Sequence, residues 1–311
     1  MTRNAHVYGP VASRRLGLSL GVDLVPFKYC PYNCIYCQLG PTRVRTRQRQ
    51  AFYSREEILR EIRTRLDTSR PDYITLSGSG EPTLYSELGA LIRDIKATTA
   101  VPVALLTNGA LLGDREVRRE AALADLVLPS LDAADADLFQ RVNRPMEDLD
   151  IESVIEGLVE FRREYQDPIW LEIMAVNGLT TEGGRLEKIA GAVGRIAPDR
   201  IQLNTPVRPV PGTRLEPVSH DVLREMAKAF SPAAEIIAPL GARRVPNPPL
   251  FLDTQEVHAL IQRRPCTVED IAAGLGAPAN LVVKALELLR KRGLVRSARR
   301  RGQLYYKGMP E

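Results

Sequence analysis

Six short apolar runs, alternating with amphipathic helical stretches, set the tightest limit on what this chain folds into. The runs are residues 20–24, 73–77, 103–107, 126–130, 169–176 and 200–204. Each is largely apolar rather than strictly alternating, as strands covered on both faces are. Between and after them lie helical patterns over 55–68, 87–97, 114–122, 151–165, 182–196 and 221–230. Ser54, followed three residues later by Glu57, marks the start of the first helix as a capping box. Strands joined through helices run parallel, with right-handed crossovers. Periodicity alone leaves an open sheet and a partial barrel as alternatives.

After residue 242 the text changes. Residues 243–253 (RRVPNPPLFLD) carry three prolines and interrupt the helical pattern, which reads as a linker. Beyond it, 254–262 and 267–274 are short amphipathic helices, the second capped by Thr267, and 280–292 is a longer helix stopped by Gly293. Two strand-like runs, 294–297 and 303–306, flank a turn at 298–302. Three helices and a hairpin give a winged helix-turn-helix reading for 254–311, after a first domain over 1–242. This tail holds eleven Lys/Arg against five Asp/Glu, a surplus of six that exceeds the +5 of the whole chain. The basicity therefore belongs to the tail, where residues 280–292, Arg299, Arg300 and Arg301 are candidates for phosphate contact. Tyr305 and Tyr306 are candidates for stacking on a base. A protein-binding or lid role is the competing reading of the same segment.

The residues that carry chemistry sit just after the first strand. Residues 29–37 read YCPYNCIYC, a C-x3-C-x2-C array of Cys30, Cys34 and Cys37. Three thiolates on one tight loop hold three irons of a cubane and leave the fourth open to a small molecule. A structural zinc site wants four protein ligands; Cys266 is far along the chain and no histidine is near the loop. A redox C-x-x-C pair would leave Cys30 unexplained. No apolar stretch long enough to span a membrane appears, and the N-terminal residues lack a signal-peptide core. With cysteines that do not read as a disulfide framework, the reducing cytoplasm is the expected compartment.

The array resembles the CxxxCxΦC signature of the radical SAM superfamily, with Tyr36 as its aromatic. The resemblance covers most of the first domain and implies a partial (β/α)6 barrel with a [4Fe–4S] cluster on Cys30, Cys34 and Cys37. It further implies that S-adenosylmethionine chelates the open iron and is cleaved reductively to a 5′-deoxyadenosyl radical that abstracts hydrogen from substrate. Three later segments fit the same pattern. LSGSGEPT at 76–83 looks like the family's glycine-rich "GGE" segment, which assigns Gly78, Ser79, Gly80 and Glu81 to the methionine amine. LTNG at 106–109 offers Asn108 to the ribose, and LPSLD at 128–132 offers Ser130 and Asp132 near the methionine carboxylate. An Asn-Gly turn with no ligand is the competing reading of Asn108.

Closer likeness is to wyosine-synthase-like radical SAM proteins, through YGPVASRRLGLSLGVDLVP at 8–26, SLDA, VNRP at 142–145 and TPVRPVP at 205–211. The extra cysteines of two-cluster relatives are missing, so a single-cluster enzyme is expected and wyosine chemistry is not carried over. Arg14, Arg15, Asn143, Arg144, Glu172, Asn204 and Arg208 fall where strand tops and their loops face a cavity, and as a set they suggest an anionic substrate, nucleic acid included. The implied partner is an electron donor such as flavodoxin or ferredoxin. An iron–sulfur nucleic-acid-binding redox sensor and a glycyl-radical activase are the alternatives; the glycine-rich segments, which a sensor does not need, favour the enzyme.

Overall fold

The computed structural model describes residues 6–210, 215–237 and 252–309. The chain opens with β1 (Val7–Ser13), antiparallel to β2 (Gly17–Asp23). Then come α1 (Arg55–Thr68), β3 (Tyr73–Ser77), a 3-10 turn at Pro82–Leu84, α2 (Leu88–Thr98), β4 (Val103–Thr107), α3 (Arg115–Ala121) and β5 (Leu126–Pro129). The pair α4 (Ala136–Val142) and α5 (Ile151–Glu164) leads to β6 (Trp170–Met174), α6 (Arg185–Ile196), β7 (Arg200–Asn204), α7 (His220–Ala227) and β8 (Glu235–Ile236).

Strands β2 to β5 pair in parallel in sequence order, and β6, β7 and β8 do the same. Two parallel bridges, Val127 with Ile169 and Ser130 with Glu172, connect β5 to β6. The result is a mixed α/β fold on a parallel sheet, consistent with a partial barrel. Its core is continuous from Leu20 and Val22 through Ile74, Leu76, Leu105, Val127, Leu171, Ile173 and Leu203. Because parallel strands point the same way, the ends of β2, β3, β4, β5, β6 and β7 open on one rim.

Three elements differ from the sequence expectation. β1 was unexpected because its VYGPVAS run carries glycine and proline at its centre; it survives as an edge strand with a register irregularity between Tyr8 and Val11. α4 is only seven residues long, and β8 only two, so neither offers a full period to read. At the first helix, Ser54 Oγ accepts from the Glu57 N–H and also donates to Glu56. The expected 243–253 linker lies outside the described residues except for Leu252 and Asp253, and Asp253 caps the next helix by accepting from the Gln255 N–H.

That helix, α8 (Thr254–Arg263), is followed by α9 (Val268–Leu275), α10 (Ala279–Lys291) and the antiparallel hairpin β9 (Val295–Arg300) and β10 (Gln303–Gly308). Thr267 and Asp270 form a reciprocal capping box on α9. The hairpin strands run longer than expected, closing through Arg301 and Gly302, both at positive φ, as a two-residue turn requires. Val257, Leu260, Ile261, Ile271, Val282, Leu286 and Leu289 make a second core, against which Val11 of β1 packs. No single helix among the described residues is long and apolar enough to cross a membrane.

This C-terminal unit is tied to the rim of the sheet by charged pairs. Arg263 of α8 donates to Asp23 at the end of β2, through Nε at 3.0 Å, and lies 3.7 Å from the centroid of the Tyr8 ring. Arg208 after β7 pairs with Asp270 at 3.3 Å, and Arg65 of α1 with Glu256 at 2.9 Å. Arg300 donates to the Leu215 carbonyl and Arg301 pairs with Glu216. Two of the three hairpin arginines expected to face phosphate are thus held by the chain itself. Tyr305 is buried, so it is not available for stacking, while Arg299 is exposed.

A candidate iron–sulfur and nucleotide site at the sheet rim

The cysteine loop is seated from below by the segment VNRP. Asn33 N–H donates to the carbonyls of Asn143 (3.0 Å) and Arg144 (3.1 Å), Ile35 N–H to Val142 (2.9 Å), and Met146 N–H to Pro31 (3.1 Å). Tyr32 packs edge-on to Phe139 of α4, at 5.4 Å between centroids. The fold of residues 136–146 is therefore the floor on which the loop is moulded.

Each of the three sulfurs has a nitrogen donor. Asn108 Nδ2 lies 3.4 Å from Cys30 Sγ, Asn143 Nδ2 3.6 Å from Cys34 Sγ, and Lys28 Nζ 3.1 Å from Cys37 Sγ. Burial first, and then the Glu81 carboxylate, push the Cys30 thiol up to about 12. Burial and then Asp132 push Cys34 well above the ordinary thiol range. Apolar burial of thiolates is costly unless charge is drawn away from them, which a bound cation or cluster does. Tyr32 Oη and Asn143 Oδ1 are buried without a hydrogen-bond partner among the described residues. Among those residues no three His, Cys, Asp or Glu side chains converge on one metal-ion position. A structural zinc ion wants four protein ligands, whereas a cubane takes each of three thiolates on a different iron. Three thiols, a donor for each, and orphaned polar atoms beside them fit an iron–sulfur cluster.

The glycine-rich segment serves the chain's own packing. Ser79 N–H donates to Asp23 Oδ1 at 2.7 Å and its hydroxyl to Oδ2 at 3.3 Å, while the Ser79 carbonyl accepts from Lys28 N–H at 2.6 Å. A Cβ on Gly78, which sits at φ +120°, would collide with the Asp23 carboxylate. A Cβ on Gly80 would collide with the Tyr29 carbonyl oxygen, which itself accepts from Glu81 N–H at 3.0 Å. These glycines bring two loops into backbone contact, where the sequence suggested only approach to a ligand.

Glu81 is fully buried among donors. Its Oε1 accepts from Thr83 N–H (3.1 Å), Thr83 Oγ1 (2.7 Å) and Thr107 Oγ1 (2.6 Å), and its Oε2 from Asn108 N–H (2.8 Å). Burial nevertheless holds its carboxyl above the ordinary value. It thus braces the end of β3 to the end of β4, and only Oε2 has acceptor capacity to spare. Glu81→Gln is expected to lower stability by about 1–3 kcal/mol, because an amide NH2 must then face another donor. Denaturant unfolding of the full chain checks this, and an unchanged midpoint contradicts the bracing role.

Asp132 is similarly engaged. It accepts from the Tyr36 hydroxyl, from Asn143 Nδ2 at 2.7 Å and from Met174 N–H at 2.9 Å, and burial raises its carboxyl to about 6. Tyr36, Asp132 and Asn143 hence form one network beneath Cys34; Asn143, expected at the substrate, belongs to this network. Ser130 is half-buried at the end of β5, where its N–H donates to the Thr107 carbonyl.

The remaining expected residues separate into two groups. Arg15 pairs with Glu172 at 2.7 Å, Asn204 donates to Glu172 at 2.9 Å, and Arg14 donates to Asn204 at 3.3 Å. Burial pushes Glu172 up, but Arg15, Asn204 and Arg14 outweigh it and hold the carboxyl below its ordinary value. Arg208 stands beside this group and is 5% exposed. Arg144 does not join it: its side chain is exposed, and its carbonyl serves the cysteine loop. Sequence reasoning missed Lys28, Asp23, Arg263, Arg264 and Lys307. Lys28 had one local signal, a lysine two positions before the first cysteine. Lys307 of β10 is close enough to feel the charges of Cys37 and Lys28, which brings the C-terminal hairpin to the cysteine loop.

Comparison with known proteins agrees with this geometry. The pattern of the Radical SAM superfamily matches residues 24–185. A Brachyspira hyodysenteriae protein named GTPase Obg is 36% identical over 98% of this chain, which spans only 45% of that protein's length. A UPF0026 protein of Synechocystis is 40% identical over 66% of this chain and 77% of its own. Among solved structures, TYW1 with a lysine-pyruvate adduct bound aligns with a TM-score of 0.54 at 20% identity, covering 70% of this chain and 74% of the other, a likeness of fold.

Proposed function

Because the chain belongs to the radical SAM superfamily and is related to the UPF0026 proteins, we propose that it is a single-cluster radical enzyme acting on an anionic substrate. Enzymes of this superfamily use an iron–sulfur cluster and S-adenosylmethionine, and they need an electron donor, here a flavodoxin or ferredoxin. In this reading Cys30, Cys34 and Cys37 hold a [4Fe–4S] cluster. Once bound, the cluster and S-adenosylmethionine supply reductive sulfonium cleavage, giving methionine and a 5′-deoxyadenosyl radical for hydrogen abstraction.

The chain's own residues set the conditions. Asn108, Asn143 and Lys28 direct N–H groups at the three sulfurs, which draws negative charge off them and tunes the ease of reduction. Glu81, Asp132 and Tyr36 hold the strand ends in register around the loop. Gly78, Ser79, Gly80 and Glu81 are assigned to the methionyl amine, Ser130 and Asp132 to its carboxylate side, and Asn108 to the ribose. Arg14, Arg15, Glu172, Asn204 and Arg208 line the substrate side.

The observation that carries this reading is the set of three half-buried thiols on one loop, each with its own nitrogen donor. It is tested by electron paramagnetic resonance of the dithionite-reduced, anaerobically reconstituted chain. S-adenosylmethionine is expected to shift the g-values of the reduced cluster; a spectrum that ignores it contradicts chelation at an open iron.

The order α8, α9, α10, β9, β10 suits a winged helix-turn-helix, and domain limits of 1–242 and 254–311 follow from that reading. Lys284, Arg290 and Lys291 on α10, its C-cap Arg292, and Arg296 and Arg299 on β9 are each exposed, and this favours a nucleic-acid contact. Binding to tRNA or duplex DNA is expected to weaken steeply with salt, with the slope reduced by about one for each lysine or arginine removed. Binding that ignores salt, or no binding at all, contradicts this contact.

A further inference from the structure

Arg264 is the C-cap of α8, and its guanidinium has neighbours in both units, Gly274 and Cys266 in the C-terminal one and Tyr8 and Arg14 in the other. Its Nε and Nη2 are both buried, and neither has a hydrogen-bond partner among the described residues. Those two N–H groups form one edge of the guanidinium, the edge that takes an oxyanion through two parallel bonds. Arg208, nine-tenths buried from the opposite side, also has an unpartnered Nε, while its Nη2 reaches Asp270 at 3.3 Å. Arg14 comes from the turn between β1 and β2. Burial, and then the neighbouring charge of Arg208, with Arg15 and Arg264 further contributing, lower its guanidinium to about 10.

The acids facing this group are Glu172, already shared by Arg15 and Asn204, and Asp270, already shared by Arg208 and its own capping box. Four guanidiniums against two carboxylates leave positive charge that the described residues do not neutralise. Arginine does not shed its proton to escape burial, so the remaining charge calls for an anion. Neither the cluster residues nor the contacts between the two units use the Arg264 edge or the Arg208 Nε.

We propose that Arg264 and Arg208, with Arg14, bind a carboxylate or phosphate group of the substrate, so that the C-terminal unit completes the substrate site. The assignment of this oxyanion to the substrate rests on the radical-enzyme reading above.

The test uses the full chain, reconstituted with iron and sulfide and titrated calorimetrically with inorganic phosphate in one arm and acetate in the other. One saturable site is expected, and the preferred arm distinguishes a phosphorylated from a carboxylated substrate. Arg264→Gln and Arg208→Gln are expected to weaken it by roughly tenfold or more, as loss of a buried charged donor does. Arg264→Lys, which keeps the charge without the fork, is expected to weaken it as well, while Arg60→Gln, on the exposed side of α1, leaves it unchanged. Thermal unfolding of each variant confirms that it is folded. Failure of both anions to saturate, or affinities indifferent to Arg264→Gln and Arg208→Gln, overturns the pocket. Anion binding that responds to these variants in a chain whose cluster ignores S-adenosylmethionine overturns the substrate assignment and the radical reading while keeping the pocket.

Discussion

Replacing Cys34 with alanine is expected to abolish iron–sulfur loading, while replacing Cys266 leaves it intact. Cys34 lies on the moulded loop, above the Tyr36–Asp132–Asn143 network, with the Asn143 amide directed at its sulfur. Removing it takes one of three protein ligands from a cluster that has no spare thiol in reach. Even the partners behind metal ligands are worth about ten- to a hundredfold in affinity, so loss of a ligand exceeds roughly a hundredfold. Cys266 is fully buried in the C-terminal core, and its backbone exchanges two hydrogen bonds with Tyr306. As a small apolar side chain it contributes packing, and Cys266→Ala costs about 1 kcal/mol of stability. Iron and acid-labile sulfide per chain, measured after anaerobic reconstitution, separate the two variants. Equal loading of both variants would remove Cys34 from the cluster.

Gly80→Ala is expected to disturb the cysteine loop nearly as much, although no ligand role is needed to explain why. The added methyl group collides with the Tyr29 carbonyl oxygen, a backbone atom adjacent to Cys30, and also crowds Val25 at 2.8 Å. Backbone has no rotamer with which to yield, so either the cysteine loop or the strand end must move. Such overpacking costs about 1–3 kcal/mol. The displacement falls on Cys30, so cluster retention suffers along with stability. The visible absorption of the reconstituted variant, followed over hours against the wild type, gives the loss of cluster. Denaturant unfolding gives the stability. A variant that keeps both would show that the close approach of these loops is dispensable.

The same contacts explain which parts of the molecule were legible in the sequence. Strands β3, β4 and β7 match their expected runs residue for residue, because their central residues are buried on both faces and their ends fall at turns. The cysteines, the SGSGE turn and the LTNG and SLD segments all follow successive strands, so a parallel sheet gathers them on one rim without further information. VNRP was visible as a motif, yet its work as the floor of the cysteine loop depends on backbone hydrogen bonds that no side-chain pattern announces. Asp23 acquires meaning only through a partner distant along the chain, while Lys28 serves Cys37 on its own loop. Asp23 pairs with Arg263, 240 residues later, and Lys28 with a hairpin lysine for neighbour. Arg264 was read simply as part of the tail's positive charge. Its place between the two units follows from their docking, and docking has no periodicity.

Docking also changes the meaning of the basic tail. Read along the chain, Arg299, Arg300 and Arg301 form a cluster for phosphate; in the fold, Arg300 donates to the Leu215 carbonyl and Arg301, although exposed, pairs with Glu216, while Arg299 is exposed. The free positive charge divides between the exposed face of α10 and β9 and the buried arginines at the rim.

The central claim is that the cysteine loop supports reductive cleavage of S-adenosylmethionine, and the most direct measurement is the 5′-deoxyadenosine formed by the reconstituted chain after dithionite and S-adenosylmethionine are added anaerobically. The account predicts 5′-deoxyadenosine in the wild type, well above a control without reductant and above Cys34→Ala. S-adenosylmethionine recovered intact from a fully loaded, reduced wild-type chain would contradict it.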